Sequence, residues 1–219
     1  MKPVAYYKTI VFDCDGVILD SNQLKIDAYF YTAIKFGANE AQAQALVDYH
    51  ILLGGISRYP KFEYFLTDIL KRPVDDLSMQ KLLTDFGLEV ERLLADCEIA
   101  EGLDRLREAT PDTKWMVLSG GDQLELRRIF AKRGIAHFFD AGIFGSPDNK
   151  DEVLARECDL GNLVFPALFV GDSRYDHQAS VRAGMDFVFL SGWTDFKGWR
   201  EYCESNNITI LQRLSDITI

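Results

Sequence analysis

The stretch Val11-Phe12-Asp13-Cys14-Asp15-Gly16-Val17-Ile18-Leu19-Asp20-Ser21 sets two carboxylates two positions apart, directly behind a short apolar run and ahead of a glycine. The run, Thr9–Phe12, is too short for a buried helix and reads as a buried parallel strand. Three further runs of the same kind follow. Trp115–Leu118 leads into Ser119-Gly120-Gly121, Ala167–Val170 into Gly171-Asp172, and Phe187–Leu190 into Ser191-Gly192. Helical patterns separate them: Asp122–Arg133, stopped by Gly134, then Lys150–Cys158 and Tyr175–Ala183. Alternation of strand and helix implies a doubly wound α/β sheet with parallel strands and helices on both faces. Ligands in such sheets sit beyond the carboxyl ends of the strands, where the polar residues of this chain fall.

Residues 21–96 read differently. Leu24, Ala28, Tyr31 and Ile34 recur at helical spacing up to Gly37. A second stripe, Ala43, Leu46, Val47, His50 and Ile51, ends at Gly54-Gly55. Ser57 is placed to cap a third helix carrying Phe62, Phe65, Leu66 and Ile69, broken near Pro73. Ser78 is placed to cap a fourth with Leu82, Leu83, Phe86, Val90, Leu93 and Leu94. The expected organisation is an α/β core of residues 1–20 and 97–219, with an α-helical insertion at 21–96 whose aromatic stripes form its own core.

Composition narrows the function. With 219 residues, 47% hydrophobic and 26% charged, the chain needs no disulfide or metal staple to fold. Its net charge of −10 and pI near 4.8 argue against nucleic acid or an anionic membrane as a partner. The four cysteines (Cys14, Cys97, Cys158, Cys203) lack zinc-site spacing and read as buried, reduced thiols of a cytoplasmic protein. No apolar run reaches the ~20 residues of a membrane span, and Met1–Lys8 shows no signal-peptide pattern.

The chemistry lies at the strand ends. Gly171-Asp172-Ser173-Arg174-Tyr175-Asp176 repeats the acidic pattern of Asp13 and Asp15. If the sheet brings the two loops together, each like-charge pair at ~4 Å costs about 4 kcal/mol at an effective dielectric of 20. Raised pKa values or a bound cation must relieve that, and oxygen ligands with few histidines suit Mg²⁺. Ser119-Gly120-Gly121 is suited to cradle a phosphate, and Lys150 follows a loop, Ser146-Pro147-Asp148-Asn149, at a helix start.

The ordered set D-x-D-G-V, Ser119, Lys150 after G-S-P-x-x-K, and G-D-S-x-x-D resembles the haloacid-dehalogenase superfamily over the whole chain, including an α-helical cap after the first motif. The phosphoglycolate phosphatase and beta-phosphoglucomutase subgroup is the nearest pattern. The resemblance implies a Rossmann-like core and a Mg²⁺-dependent phosphatase acting on a small phosphorylated metabolite, with no obligate protein partner inferable. It implies Asp13 as nucleophile and Asp15 as general acid/base. Ser119, Gly120 and Lys150 would bind phosphate. Asp13, the Asp15 carbonyl and Asp172 would hold the metal, with Asp176 behind them. An acid at position 15 speaks for phosphoryl transfer, since halide leaves without a proton. Arg58, in Gly54-Gly55-Ile56-Ser57-Arg58, is similar in position to an arginine that grips a substrate phosphate in the mutases; the plain alternative is a helix start with Arg58 and Lys61 in water. Lys25 stands where mutases and many phosphatases of the subgroup carry histidine, and G-D-S differs from the mutase form. A phosphosugar mutase and a non-catalytic binding protein on the same fold stay open at this stage.

Overall fold

A computed structural model describes residues 2–218 of the chain. Met1 and Ile219, the ends of the expected core, lie outside the described residues. Six parallel strands run β1 (Thr9–Phe12), β2 (Lys114–Asp122), β3 (Gly142–Ser146), β4 (Ala167–Gly171), β5 (Asp186–Leu190) and β6 (Thr209–Leu211). Their order across the sheet is β3-β2-β1-β4-β5-β6. The order reverses at β1, whose neighbours are β2 and β4. A crevice therefore opens above β1, and the loops after β1, β2 and β4 share it. Asp13 and Asp172 stand on two of these loops, and Ser119 stands at the bend near the end of β2.

The four central strands match the apolar runs. The β1 residues are all buried, as both-face coverage requires. β3 and β6 were not expected. Gly142–Ser146 has only two large apolar residues, and Thr209–Leu211 is a three-residue edge. Two short helices, α5 (Leu103–Ala109) and α9 (Trp199–Ser205), also went unforeseen. The core helices α6 (Gln123–Lys132), α7 (Lys150–Asp159) and α8 (Arg174–Arg182) fall where the patterns put them. Gly134, with φ +71°, ends the first of these.

Between β1 and β2 lie α1 (Asn22–Phe36), α2 (Glu40–Leu52), α3 (Arg58–Tyr64), which runs on into a π turn, and α4 (Asp76–Leu94). Phe62, Phe65, Leu66 and Phe86 are fully buried among them. Three details differ from expectation. The inward face of α1 is Lys25, Ala28, Tyr29, Thr32 and Ala33; Tyr31 points to water. Helix α4 is capped by Asp75, whose side chain accepts from the Ser78 backbone N–H, because an acidic N-cap three residues ahead outcompetes a serine inside the first turn. Ser57 starts α3 without a side-chain cap bond. Of the cysteines, Cys158 is exposed, on the outer face of α7, and the other three are buried. Among the described residues, no helix is long and apolar enough to cross a membrane.

Candidate active site

Asp13 follows β1 directly, and its backbone N–H still pairs with the Val170 carbonyl. The chain then turns at Gly16. Its φ is +73°, and a Cβ there would come within 2.1 Å of Asp172 Oδ2, so only glycine lets the two acidic loops close on each other. Asp13, Asp172 and Asp176 each present an oxygen within 4.8 Å of the others, and all three are buried.

Lys150 compensates part of this charge. It starts α7, behind an Asn149–Glu152 capping box that fixes the helix entry. Its Nζ lies 2.9 Å from Asp13 Oδ1 and donates a short hydrogen bond to Asp176 Oδ1. The contact with Asp13 is an ion pair off hydrogen-bond geometry, which leaves Asp13 Oδ1 buried without a hydrogen-bond partner. Asp176 is otherwise satisfied: its Oδ2 accepts from Ser173 Oγ at 2.7 Å and the Ser173 N–H at 3.1 Å. A lysine at this loop end is thus far from solvated; Lys150 is 2% exposed.

One ammonium does not balance three carboxylates. Burial, with Asp176 next to it, pushes the Asp13 carboxyl up to about 7. Burial and the neighbouring Asp13 push Asp172 well above the carboxylate range. The donors are carboxylate oxygens with no histidine or thiolate among them. Three convergent buried oxygens, one of them orphaned, fit a hard divalent cation. Asp172 is aimed from two sides. Asn22 Nδ2 donates to its Oδ2 at 2.8 Å, and Thr194 Oγ1 donates to its carbonyl at 2.6 Å.

Asp15 is held differently. Lys25 Nζ is 2.5 Å from its Oδ2, and Ser21 Oγ donates to its Oδ1 at 2.6 Å. Burial would raise its pKa, but the Lys25 charge and these hydrogen bonds hold it below the usual carboxylate value. Ser119, at the bend in β2, accepts from the Gly121 N–H at 3.0 Å and lies 3.5 Å from Asp15 Oδ2. Gly120 lies under the cap turn: a Cβ there would sit 2.5 Å from the Gly55 carbonyl oxygen. The expected core residues therefore converge: Asp13, Asp15, Gly120 and Asp172 line one cleft with Lys25, Arg58 and Lys61 of the cap, and Ser119 and Lys150 border it.

Arg58 and Lys61 are buried, not in water, which overturns the solvated-helix reading. Arg58 is committed to a partner that the sequence did not suggest. Its Nη1 and Nη2 donate to both oxygens of Glu125, on core helix α6, at 3.0 and 2.9 Å. Lys61 Nζ lies 2.9 Å from His50 Nδ1. Asn22, His50, Glu125 and Asp195 also belong to the site or its frame and were missed. Asn22 and His50 sat inside helical patterns that read as bundle core, and only the meeting of cap and core reveals them.

The haloacid dehalogenase-like hydrolase model matches residues 7–184. Among curated proteins, none matches. Solved structures share the fold. A predicted phosphoglycolate phosphatase from Haemophilus somnus superposes with a TM-score of 0.75 at 19% identity, covering 97% of this chain and 96% of that one. A family IA, variant 3 hydrolase of the superfamily from Entamoeba histolytica gives 0.75 at 17% identity with the same coverage of each chain. A predicted phosphatase from Clostridium acetobutylicum gives 0.71 at 16% identity and 93% coverage of both. The chain belongs to the haloacid dehalogenase-like hydrolases.

Proposed function

We propose that the chain is a Mg²⁺-dependent phosphomonoesterase that works through an aspartyl-phosphate on Asp13. The observation that carries this reading is the pairing of two unlike carboxylates. Asp13 presents a buried, orphaned oxygen beside Lys150, while Asp15, two residues on, is gripped by Lys25 and Ser21. Mg²⁺, held by Asp13 and Asp172 with the Asp15 carbonyl or Asp176 beside it, would neutralise charge on the phosphoryl oxygens.

Asp13 attacks phosphorus; a P–O bond to Asp13 forms and the ester P–O bond breaks. Lys150 offsets the repulsion between the attacking carboxylate and the phosphate. Ser119 Oγ and the Gly120 backbone would receive equatorial oxygens, with the Gly121 N–H holding the Ser119 hydroxyl in position. Asp15, ionised in the free cleft, takes up a proton from solvent against the pull of Lys25 as the anionic phosphate arrives, and gives it to the leaving alkoxide. In the second half, Asp15 takes a proton from water, whose oxygen attacks the aspartyl-phosphate and releases inorganic phosphate. Lys25 holds the Asp15 carboxylate in place throughout and favours its ionised form, which suits this second half. The names of the phosphatase neighbours support the same reaction class. Continuous release of inorganic phosphate from a panel of phosphate esters, with and without Mg²⁺, tests the reading. Release without turnover of a hexose 1-phosphate into its 6-isomer separates it from a mutase.

A further inference from the structure

The carboxylates at the ends of β1 and β4 are held in two different ways. Asp13 and Asp176 face the Lys150 ammonium, and Asp15 faces that of Lys25. Asp172 forms no ion pair among the described residues. Its carboxylate takes its one hydrogen bond there from a neutral group: Asn22 Nδ2 donates to Oδ2 at 2.8 Å. The same nitrogen donates to the Trp193 carbonyl, also at 2.8 Å. Both partners are acceptors, so the nitrogen of the amide and not its oxygen must face them, and both of its N–H groups are engaged. Thr194, next to Trp193, donates its hydroxyl to the Asp172 carbonyl at 2.6 Å and accepts from the Phe196 N–H at 3.1 Å. The loop after β5 thus holds Asp172 directly at the main chain and, through Asn22, at the side chain. The Gly16 turn hems in the same oxygen: a Cβ there would lie 2.1 Å from Asp172 Oδ2 and 2.5 Å from Asn22 Nδ2. Asp172 Oδ1 is left without a hydrogen bond from the described residues.

We propose that Asn22 is a positioning residue that makes Asp172 a one-oxygen ligand and so biases the site toward Mg²⁺ and away from Ca²⁺. This rests on the metal reading of Asp13 and Asp172 given above and adds to it a residue that sets the ion preference. An ammonium in place of the amide would compete with a cation for Asp172. A neutral amide fixes the carboxylate and leaves its charge to the ion. With Oδ2 tied to Asn22 and pressed by Gly16, the carboxylate resists turning both oxygens onto one ion. Mg²⁺ demands a near-ideal octahedron, whereas Ca²⁺ accepts carboxylates through one oxygen or two at longer distances. Loss of a partner behind a metal ligand typically changes affinity by about 10–100-fold. Asn22 is the first residue of α1, so the helical insertion supplies this hold on a ligand of the core.

The test is titration calorimetry of the metal-free protein with Mg²⁺ and, separately, with Ca²⁺, for wild type and Asn22→Ala. In the variant the Mg²⁺ Kd is expected to rise by roughly tenfold or more while the Ca²⁺ Kd changes by less than about threefold, so the ratio of the two shifts toward Ca²⁺. Melting curves of the metal-free proteins are recorded alongside, because a general loosening of the fold weakens both ions in step. An unchanged ratio, with both affinities kept or both weakened alike, overturns the proposal and leaves the phosphatase reading standing. If wild type binds neither ion, the metal reading of Asp13 and Asp172 fails, and the proposal with it. Should Asn22→Ala not fold, Asn22→Ser, whose single hydroxyl donor cannot serve both acceptors, decides by the same ratio.

Discussion

Arg58 of the cap and Glu125 of the core form a two-pronged ion pair, 3.0 and 2.9 Å long and almost wholly buried, across the mouth of the cleft. The guanidinium also lies over the Phe86 ring at 4.6 Å, so one of its faces and both Nη groups are occupied. Together with the Gly55 carbonyl pressed against Gly120, this pair ties the cap turn to the strand end that holds Ser119. It is a tether between two layers and not a free cation awaiting substrate.

Removing one partner of a buried pair strands the other. Arg58→Ala is expected to cost about 3–5 kcal/mol. At roughly 2–4 °C per kcal/mol for a chain of this size, Tm falls by roughly 10 °C. Arg58→Met with Glu125→Leu, which removes both charges, should recover most of the loss. Differential scanning calorimetry of the single and double variants checks this. A single variant as stable as wild type would show that the pair is not formed in solution.

The strands that carry the chemistry were legible because each is a run buried on both faces, and Thr9–Phe12 coincides with β1 residue for residue. β3 escaped notice because glycine occupies two of its five positions, and one of these, Gly145, abuts the Gly121 carbonyl. The carboxylates, Ser119 and Lys150 were readable from local motifs, since a strand end places its next few residues by geometry alone. The cap contribution was not readable in that way. Lys25, His50 and Lys61 sit on three different helices, and periodicity says which face of a helix is buried but not what it is buried against. Glu125 was hidden for the same reason: an acidic residue in the first turn of a helix reads as a dipole partner until a cap arginine arrives opposite it.

Asp13→Asn is nearly isosteric and would remove the proposed nucleophile. Hydrolysis should fall by more than a thousandfold, a loss of about 4 kcal/mol or more in the barrier. The fold should persist, because the amide replaces a carboxyl that already sits at about 7 owing to burial and its acidic neighbours. Single-turnover phosphate release together with a melting curve checks both halves. A residual rate above one-thousandth with intact folding assigns the nucleophile elsewhere.

For the metal, the expected outcome is a stabilisation as well as an activity. Mg²⁺ at a hundredfold excess over its Kd should add about 2.7 kcal/mol, visible as a rise in Tm. Asp172→Asn should abolish that rise. Chelator should remove activity and Mg²⁺ restore it, with Ca²⁺ a poor substitute because its looser coordination misplaces the in-line geometry. Full activity in excess chelator, or an equal Tm rise in the Asp172 variant, contradicts the assignment.

Asp15→Asn should lose far more rate on alkyl phosphates, whose leaving groups need a proton, than on aryl phosphates with acidic leaving groups. A plot of log kcat against leaving-group pKa should steepen in the variant. An unchanged slope with a uniformly lower rate would mean that Asp15 acts through the placement of Lys25 and Ser119 instead.

Lys61 supplies a stability test that is independent of turnover. Its amine is pushed down to about 7 in the folded chain, against 10.5 when unfolded, by burial and then by Lys25. Between those values the unfolded state binds the extra proton, so stability rises with pH across that window as far as this group is concerned. Below about pH 7 both states carry the charge, and the folded chain bears the full cost of burying it beside Lys25. Lys61→Met removes the charge in both states. It should therefore raise Tm at pH 6, raise it less at pH 8 to 9, and leave it nearly unchanged near pH 10.5, where the wild-type amine is neutral in the fold at little cost. Melting curves of wild type and variant over this pH range provide the check. A constant Tm difference across the range would mean that Lys61 keeps an ordinary pKa and is paired or hydrated in solution.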